Sequence, residues 1–426
     1  MILVDGTILN SEAIGKILPS LEKRICKTLQ KPILSPLVVI EACHKLAETI
    51  EQGAYSDILN QLIAEAHISD EQINNVIRLF KRESLLYKLQ VELGEDYIDM
   101  DLTPPFYIEN PIHRRLMPLG VLFHIAAGNV DGLPAYSVIE GLLTGNINIL
   151  KLPAVDKGFT VQLLSELIRI EPILAEYIYV FDTSSNDITG MQAMAQCADG
   201  IVVWGGDTAI EAVRKLATPN TKIIEWGHKI SFAYVTDKGM SDLALTGLAY
   251  HILNSKQLLC SSCQGIYIDT SEMSEVYDFS EKFIEILENV AIYYPEPNIG
   301  IEAQITLLLY NQELEAGPGD KKIYRGKRCS VIASKDQKLE VSFTYGNCWV
   351  KALPRKNIIE MLHQNKGYLQ TVGLLCGSGE REMLSQVLCR AGATRITSGS
   401  EMSRMLCGEN HDGEYPLKRS FKIVEY

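Results

Sequence analysis

The chain has 426 residues, of which 46 % are hydrophobic and 22 % are charged, and its formal net charge is −13 at pH 7. These proportions are typical of a folded globular protein, and the length fits two domains of ordinary size. The acidic balance argues against a nucleic-acid partner, because duplex binding requires clustered Lys and Arg. No window reaches about 18 uninterrupted apolar residues, so no membrane span is predicted.

Ten cysteines are scattered along the chain. The segment CSSC at 260–263 has no second Cys or His pair nearby, so no metal site is predicted. The first residues, MILVDGTILNSEAIGK, contain Asp5 and Glu12 and have no basic region, which is unlike a signal peptide. We therefore expect a cytoplasmic protein with unpaired thiols.

The first hundred residues are predicted to be mostly helical, because apolar residues recur there at spacings of three and four. The helical segments are 11–29, 35–52 and 71–93. From residue 115 the pattern changes. The run RLMPLGVLFHIAA at 115–127 predicts one short buried strand that ends in a turn at Gly128 and Asn129.

Helices and strands then alternate as far as residue 227. The predicted helices are 133–145, 159–170, 191–197 and 208–217, and the predicted strands are 146–152, 177–182, 200–206 and 221–227. This alternation predicts an α/β fold with a parallel, doubly wound sheet and right-handed crossovers.

A second domain is predicted to begin near residue 237. A helical pattern at 243–260 leads into a cysteine turn, and 264–269 follows as a strand. The remaining predicted elements are helix 275–290, loop 315–322, strand 347–353, helix 357–366, strand 369–376 and helix 380–390. This part is therefore also expected to be α/β.

Cys260 is the first candidate for chemistry, in the segment QLLCSSCQGIYID. A turn between a helix and a strand can hold a thiol in a cleft, where a lowered pKa makes it a nucleophile. The alternative is that Cys260 is one of several packing cysteines. Cys263 lies in the same turn, and the sequence does not separate the two.

Asn129 follows the buried strand, where its amide could donate to an oxyanion, although a turn Asn fits the same position. Gly205 and Gly206 stand between a strand and a helix, where a phosphate can approach backbone N–H groups; an ordinary turn is the alternative. Lys151 and Glu225 end strands. They could bind a ribose or act as a base, or they could be ordinary surface charges.

The order of five segments is more informative than any one of them. They are GVLFHIAAGN, TGNINILK, VVWGG, EWGHKIS and QLLCSSCQ. This succession resembles the aldehyde dehydrogenase superfamily and, within it, the LuxC-like acyl-CoA reductases, over roughly residues 115–426. The resemblance implies an aldehyde dehydrogenase-like fold. The N-terminal helices and a Rossmann-type cofactor domain would together span 1–236, completed by 398–426, and an α/β catalytic thiol domain would span 237–397.

The resemblance also implies roles for individual residues. Cys260 matches the nucleophile, Asn129 the oxyanion amide and Glu225 the family's carboxylate. The cofactor-binding positions are matched by Lys151 beside the adenosine ribose and by Gly205 and Gly206 at the phosphates.

Four departures from the family pattern change what is expected. Ala154 replaces a carboxylate found in NAD-preferring relatives, which leaves room for a 2′-phosphate, so NADP(H) is expected, with NAD(H) as the alternative. Phe343 stands where a glutamate often binds the nicotinamide ribose, and Gln257 lies one position further from the cysteine than usual. Trp226 and His228 in EWGHK are unexplained.

The implied activity is reduction of an acyl thioester to an aldehyde through an acyl-enzyme on Cys260, with hydride from NADPH. The alternatives are an oxidative aldehyde dehydrogenase and a non-catalytic NADP(H)-binding subunit of a fatty-acid reductase complex. The expected partners are acyl-CoA or an acyl-carrier thioester, an acyl-protein synthetase and further copies of the chain. The sequence leaves open the acyl chain length and the roles of Cys263 and His411.

Overall fold

The computed structural model describes residues 1–55, 74, 77–94, 101–102, 114–126, 132–156, 158–315, 317, 319–405 and 407–425. The chain divides into two compact units. The first consists of Met1–Gly227 and Met405–Tyr426, and the second is His228–Arg404. These limits differ from the predicted domain limits by several residues, and the functional roles of the two domains stay predictions.

The described helices, in chain order, are α1 (Ile14–Leu29), α2 (Pro36–Glu51), α3 (Arg82–Leu93), α4 (Leu133–Leu143), α5 (Phe159–Ile170), α6 (Ile188–Gln196), α7 (Asp207–Leu216), α8 (Asp242–Asn254), α9 (Met273–Ala291), α10 (Ile299–Glu315), α11 (Ile358–Leu362), α12 (Arg381–Ala391) and α13 (Pro416–Arg419).

The described strands are β1 (Ile2–Val4), β2 (Thr7–Leu9), β3 (Asp101–Leu102), β4 (Arg114–Pro118), β5 (Val121–Ile125), β6 (Ile147–Lys151), β7 (Ile178–Phe181), β8 (Gly200–Trp204), β9 (Lys222–Trp226), β10 (Ile230–Val235), β11 (Cys263–Ile268), β12 (Lys321–Arg325), β13 (Ser330–Ser334), β14 (Asn347–Ala352), β15 (Leu369–Leu375), β16 (Arg395–Thr397) and β17 (Phe421–Glu425).

The first unit contains a doubly wound sheet with the strand order β2-β1-β7-β6-β5-β8-β9. Strands β5 to β9 run parallel to one another, and the chain changes direction across the sheet between β5 and β8. The predicted α/β fold is confirmed. In such sheets a ligand binds outside the carboxyl ends of the strands at this switch point.

Two parts of the first unit differ from the prediction. The run 115–127 forms two strands rather than one, because Pro118 ends β4 and Gly120, with a φ of +132°, turns the chain into β5. Strand β4 belongs to a separate antiparallel sheet with β3 and β17. The first nine residues form a hairpin whose strand β1 joins β7 antiparallel, which the sequence analysis did not predict.

The second unit contains a sheet with the order β12-β13-β14-β11-β10-β15-β16, parallel except for the edge strand β12. Its central strands β10, β11 and β15 are buried on both faces, as expected for a parallel sheet covered by helices. Helices α8 and α9 contribute buried side chains to one face, while α11 and α12 cover the other. The sequence prediction contained neither β10 nor the long helix α10.

Candidate active site

Cys260 lies in a turn that connects α8 to β11, as predicted, and its side chain is exposed. The helix begins at a capped position, where the Ser241 hydroxyl accepts a hydrogen bond from the Ala244 N–H. It ends before Lys256 and Gln257, which both adopt the left-handed conformation with φ of 50° and 60°. Two successive non-glycine residues in this region are unusual, and such strain is concentrated at functional sites.

Cys263, the second cysteine of the turn, is completely buried. Burial raises the pKa of its thiol to about 12. The thiol donates to the Gly265 carbonyl oxygen, and the Cys263 backbone N–H donates to Nε2 of His251 at 3.1 Å. Cys263 is therefore protonated and inaccessible at neutral pH, whereas Cys260 is accessible.

Ser231, at the start of β10, fixes the backbone of the nucleophile candidate. Its hydroxyl donates to the Cys260 carbonyl oxygen at 2.6 Å and accepts from the Thr371 N–H at 3.0 Å. Ser231 is completely buried, so this bridge is not in competition with water. The sequence analysis did not identify Ser231, because its partners lie 29 and 140 positions away along the chain.

Two buried glutamines form side-chain hydrogen bonds with the backbone of the same turn. Gln257 donates through Nε2 to the Cys263 carbonyl oxygen at 3.0 Å, and Gln264 donates to the Gln257 carbonyl oxygen at 3.0 Å. Both side chains are at most 5 % exposed. Because both amides are buried and each is hydrogen-bonded through its nitrogen and its oxygen, they restrain the turn.

The glutamines also connect the turn to the segment 342–346. The Gln257 side-chain oxygen accepts from the Gly346 N–H at 3.0 Å, and that of Gln264 accepts from the N–H and hydroxyl of Ser342 at 3.1 and 2.8 Å. Thr344 and Tyr345 are left-handed, with φ of 62° and 49°. The unusual position of Gln257 thus has a structural explanation, since its side chain joins two strained segments.

Lys151 ends β6 at the carboxyl edge of the first sheet. It is 6 % exposed, and its Nζ donates to the Ser185 hydroxyl at 2.9 Å, while burial lowers the pKa of the ammonium group. Thr183, which follows the neighbouring strand β7, is 5 % exposed, and its hydroxyl has no hydrogen-bond partner among the described atoms. These groups fit a ligand that offers hydroxyl or phosphate oxygens. Ala154 is exposed on the loop after β6.

Gly205 and Gly206 lie between β8 and α7 at the same edge. Gly205 donates its N–H to the Trp226 carbonyl oxygen at 3.1 Å. A Cβ atom at Gly206, the residue before the first turn of α7, would meet nothing within 4 Å. The helix N-terminus therefore opens onto space that a phosphate group can approach.

Glu225 lies in β9 and is engaged in an ion pair. Arg214, from α7, contacts both carboxylate oxygens, with Nε–Oε1 and Nη2–Oε2 distances of 2.6 and 2.8 Å. This bidentate geometry orients the carboxylate towards the helix. Asn129, the predicted oxyanion donor, lies outside the described residues.

A buried hydrogen-bond chain lies behind the switch point. Asn148 donates its amide to the Asn146 carbonyl oxygen, so its side-chain oxygen accepts from Nε2 of His124 at 2.9 Å. Nδ1 of His124 then accepts from the Ser137 hydroxyl, whose oxygen accepts from Trp204 Nε1 at 3.2 Å. Burial lowers the pKa of His124 to about 4, which keeps the ring neutral.

Trp226 and His411, left unexplained by the sequence, pack together. The centroid of the His411 ring lies 5.0 Å from that of Trp204 and 4.9 Å from that of Trp226. The Arg419 guanidinium lies 5.2 Å from the Trp226 ring centroid. These aromatic contacts hold the segment near the C-terminus against the ends of β8 and β9.

Two other features are absent from the part of the chain that the structure describes. Within the described ranges, no group of three or more His, Cys, Asp or Glu side chains is arranged to hold a metal ion. None of the helices described is long and apolar enough to cross a membrane.

Solved structures define the class of fold. Glyceraldehyde-3-phosphate dehydrogenase from Methanocaldococcus jannaschii, complexed with NADP, is similar with a TM-score of 0.71 and 14 % identity, covering 99 % of this chain and 95 % of that chain. Betaine aldehyde dehydrogenase from Staphylococcus aureus, in complex with NAD+, gives 0.73 and 14 %, covering 98 % and 87 %. The chain therefore has the aldehyde dehydrogenase fold, as the sequence resemblance implied.

Sequence comparison identifies the family within this fold. Residues 37–423 match the acyl-CoA reductase (LuxC) family, and the chain belongs to it. The long-chain acyl-protein thioester reductase of Photobacterium phosphoreum is 24 % identical over 382 residues, which are 87 % of this chain and 75 % of that protein. Its counterpart from Photorhabdus luminescens is 26 % identical over 339 residues, or 79 % and 68 %. The family assignment made from the five segments is confirmed.

Proposed function

We propose that this chain reduces an acyl thioester to an aldehyde and that Cys260 is the acyl-accepting nucleophile. The observation that carries the proposal is the contrast within one turn: Cys260 is exposed on a rigid backbone, while Cys263 is buried with a raised pKa. The family membership and the names of the relatives support the reaction class.

In the proposed first step, the Cys260 thiolate attacks the thioester carbonyl carbon. The carbonyl π electrons move to oxygen, and when they return the bond to the donor sulfur breaks, releasing the donor thiolate and leaving an acyl-enzyme. A developing oxyanion requires hydrogen-bond donors, and the loss of one such donor typically costs about 10²–10³ in rate. Asn129 is proposed as one donor.

A bound NADPH would supply the hydride that reduces the acyl carbon. The resulting thiohemiacetal collapses, which breaks the bond from carbon to the Cys260 sulfur, releases the aldehyde and regenerates the thiolate. One proton from solvent is taken up by the released donor thiolate, so the reaction balances. The hydrogen bonds from the two glutamines to the 342–346 segment would hold the turn that carries the sulfur through both steps.

The described residues fit a dinucleotide at the carboxyl edge of the first sheet. Lys151, with Ser185 and Thr183, would contact the ribose and a phosphate, and Gly206 would allow the pyrophosphate to approach α7. Because Ala154 brings no carboxylate there, NADPH is the proposed cofactor, with NADH as the alternative.

Glu225 is proposed to transfer a proton in a minor role, and Arg214 would have to release it first. The proposed donor is acyl-CoA or a carrier-bound acyl group, in the cytoplasm. An acyl-protein synthetase and further copies of the chain are the proposed protein partners.

Assays in both directions test the reaction class. We expect acyl thioester plus NADPH to give aldehyde, NADP+ and one equivalent of released thiol. An oxidative aldehyde dehydrogenase would instead turn over aldehyde and NADP+ without any thiol acceptor. A non-catalytic subunit would bind NADPH and show neither reaction. Either of these results would overturn the proposal.

A further inference from the structure

Helix α10 (Ile299–Glu315) is apolar on two opposite faces. Its inner face carries Ile305 and Leu309, which pack against the core of the second unit, and Leu309 is 7 % exposed. With 3.6 residues per turn, the opposite side of the helix forms a second apolar face. We name it the outer stripe; it consists of Ile299, Ala303, Leu307, Tyr310 and Leu314.

The outer stripe is exposed along its whole length. Ile299 is 85 %, Leu307 65 % and Leu314 83 % exposed. A helix that is apolar on opposite faces is normally buried on both, because contiguous apolar surface in water costs free energy in proportion to its area. Exposed patches of this kind mark binding surfaces. We therefore expect another surface to cover the outer stripe.

The residues beside the stripe argue against a lipid surface. One flank carries Glu302, Thr306 and Glu313, and the other carries Gln304, Asn311 and Glu315. Helices that lie in a membrane interface have Lys and Arg in these positions, whereas these flanks are polar or acidic. A protein surface is the better match.

The side-chain sizes along the stripe are complementary to the same sizes read in reverse, because the smallest member then faces the largest. We propose that the outer stripe packs antiparallel on the outer stripe of a second copy of this chain, with the two-fold axis passing between Thr306 and Leu307. Ile299 then lies opposite Leu314 of the second copy. Ala303, the smallest member, lies opposite Tyr310, the largest, so that a protruding ring meets a recess. Such self-complementarity is the requirement for a two-fold interface.

Charge supports the same register. Arg325, from the edge strand β12, pairs with Glu313 at 3.0 Å, and its guanidinium lies 4.6 Å from the Tyr310 ring centroid. In the antiparallel pair, Glu302 of the second copy is level with the helical turn between Tyr310 and Glu313. It therefore comes beside Arg325, which can bind both carboxylates.

Sedimentation velocity of the full chain at micromolar concentration tests this surface. The wild type is expected to self-associate through α10, and Leu307→Glu to weaken that association by about 100-fold or more, since two carboxylates would meet at the axis. Gln304→Glu adds the same charge on the flank and is the matched control, expected to associate as the wild type does. Leu307→Gln removes the apolar side chain without adding a charge, and so measures the apolar contribution alone. Circular dichroism verifies the folding of each variant.

Disulfide formation tests the register. Leu307→Cys is expected to give an intermolecular disulfide dimer under mild oxidation, above the wild-type background from the exposed Cys26, Cys260 and Cys389. Ile299→Cys should not, because residue 299 faces residue 314. A monomeric wild type, an associated Leu307→Glu, disulfide formation by Ile299→Cys alone, or stripe-dependent binding to lipid vesicles would overturn the proposal. Reductase assays are independent of it, so either proposal can fail alone.

Discussion

The two polar edges of the molecule differ in how their hydrogen-bonding groups are satisfied. At the amino edge of the second sheet, Ser231, Gln257 and Gln264 each make at least two hydrogen bonds around the Cys260 turn. At the carboxyl edge of the first sheet, the buried Thr183 hydroxyl has no partner among the described atoms, and Gly206 borders open space. The first arrangement is complete without a ligand, while the second leaves a buried hydroxyl and open space where the proposed cofactor would bind.

Each of the two units also contains a buried neutral histidine. The largest expected effect is the loss of folding stability when these histidines are protonated. Burial lowers the pKa of His124 and of His251 to about 4. The unfolded chain binds these protons near pH 6.5, so the stabilisation is complete above that pH and is lost as the pH falls towards 4. We expect a loss of roughly 3 kcal/mol per histidine over this range.

Urea unfolding between pH 7.5 and 4 measures this loss. Replacing His251 with Gln should make the free energy of unfolding less dependent on pH. An unchanged dependence would show that the ring is not held neutral in the folded state.

Removing the hydrogen bonds that connect the Cys260 turn to the segment 342–346 should slow the reaction. Gln257→Ala leaves the Gly346 N–H and the Cys263 carbonyl without their partner and lets the turn shift. We expect kcat to fall by about 10²-fold, because small displacements of a reacting group cost that much.

The control is Gln386→Ala, an exposed residue of α12, which should keep wild-type kcat. If Gln257→Ala raised only the KM for NADPH and left kcat unchanged, the hydrogen bonds of Gln257 would not position the Cys260 thiol.

Removing a polar group at the carboxyl edge of the first sheet should affect cofactor binding rather than the chemical steps. Lys151→Ala is expected to raise the KM for NADPH by about 10–100-fold, the value of a charge-assisted hydrogen bond, with little change in saturated kcat. Lys215→Ala, in α7, is the control for loss of a positive charge. A fall in kcat with unchanged KM would contradict the assignment of Lys151 to the cofactor.

The smallest expected effect concerns Glu225. Because Arg214 already holds its carboxylate, Glu225→Gln should lower the rate of reduction by less than about 10-fold, well under the usual value of general acid–base catalysis. Rapid-quench measurements separate acyl transfer from reduction. If both rates were unchanged, Glu225 would have no part in the mechanism.

The sequence predicted those features that depend on local pattern. The strand after residue 120, the turn at Cys260 and the alternation of 133–227 all follow from periodicity and from Gly and Pro positions. The antiparallel β1 could not be predicted, because its partner β7 lies far along the chain. Helix α10 escaped for another reason: apolar residues on two faces obscure the usual one-sided pattern.

The residues of the candidate site likewise divide into those that the sequence identified and those that it did not. Cys260, Lys151 and Gly206 stand at the ends of predicted strands or in turns, where chemistry is expected. The choice between Cys260 and Cys263 required burial, which a three-residue separation does not reveal. Ser231 and Ser342 were not identified, because a serine acquires its role here only from distant residues brought together by the sheet.

The central claim is that the sulfur of Cys260 carries the acyl group. The most direct measurement is peptide mass spectrometry after incubation with an acyl thioester in the absence of NADPH, using wild type, Cys260→Ser and Cys263→Ser. We predict a hydroxylamine-sensitive acyl adduct on Cys260 in the wild type and in Cys263→Ser, which disappears on addition of NADPH. An adduct on Cys263, or one that persists in Cys260→Ser, would contradict the account.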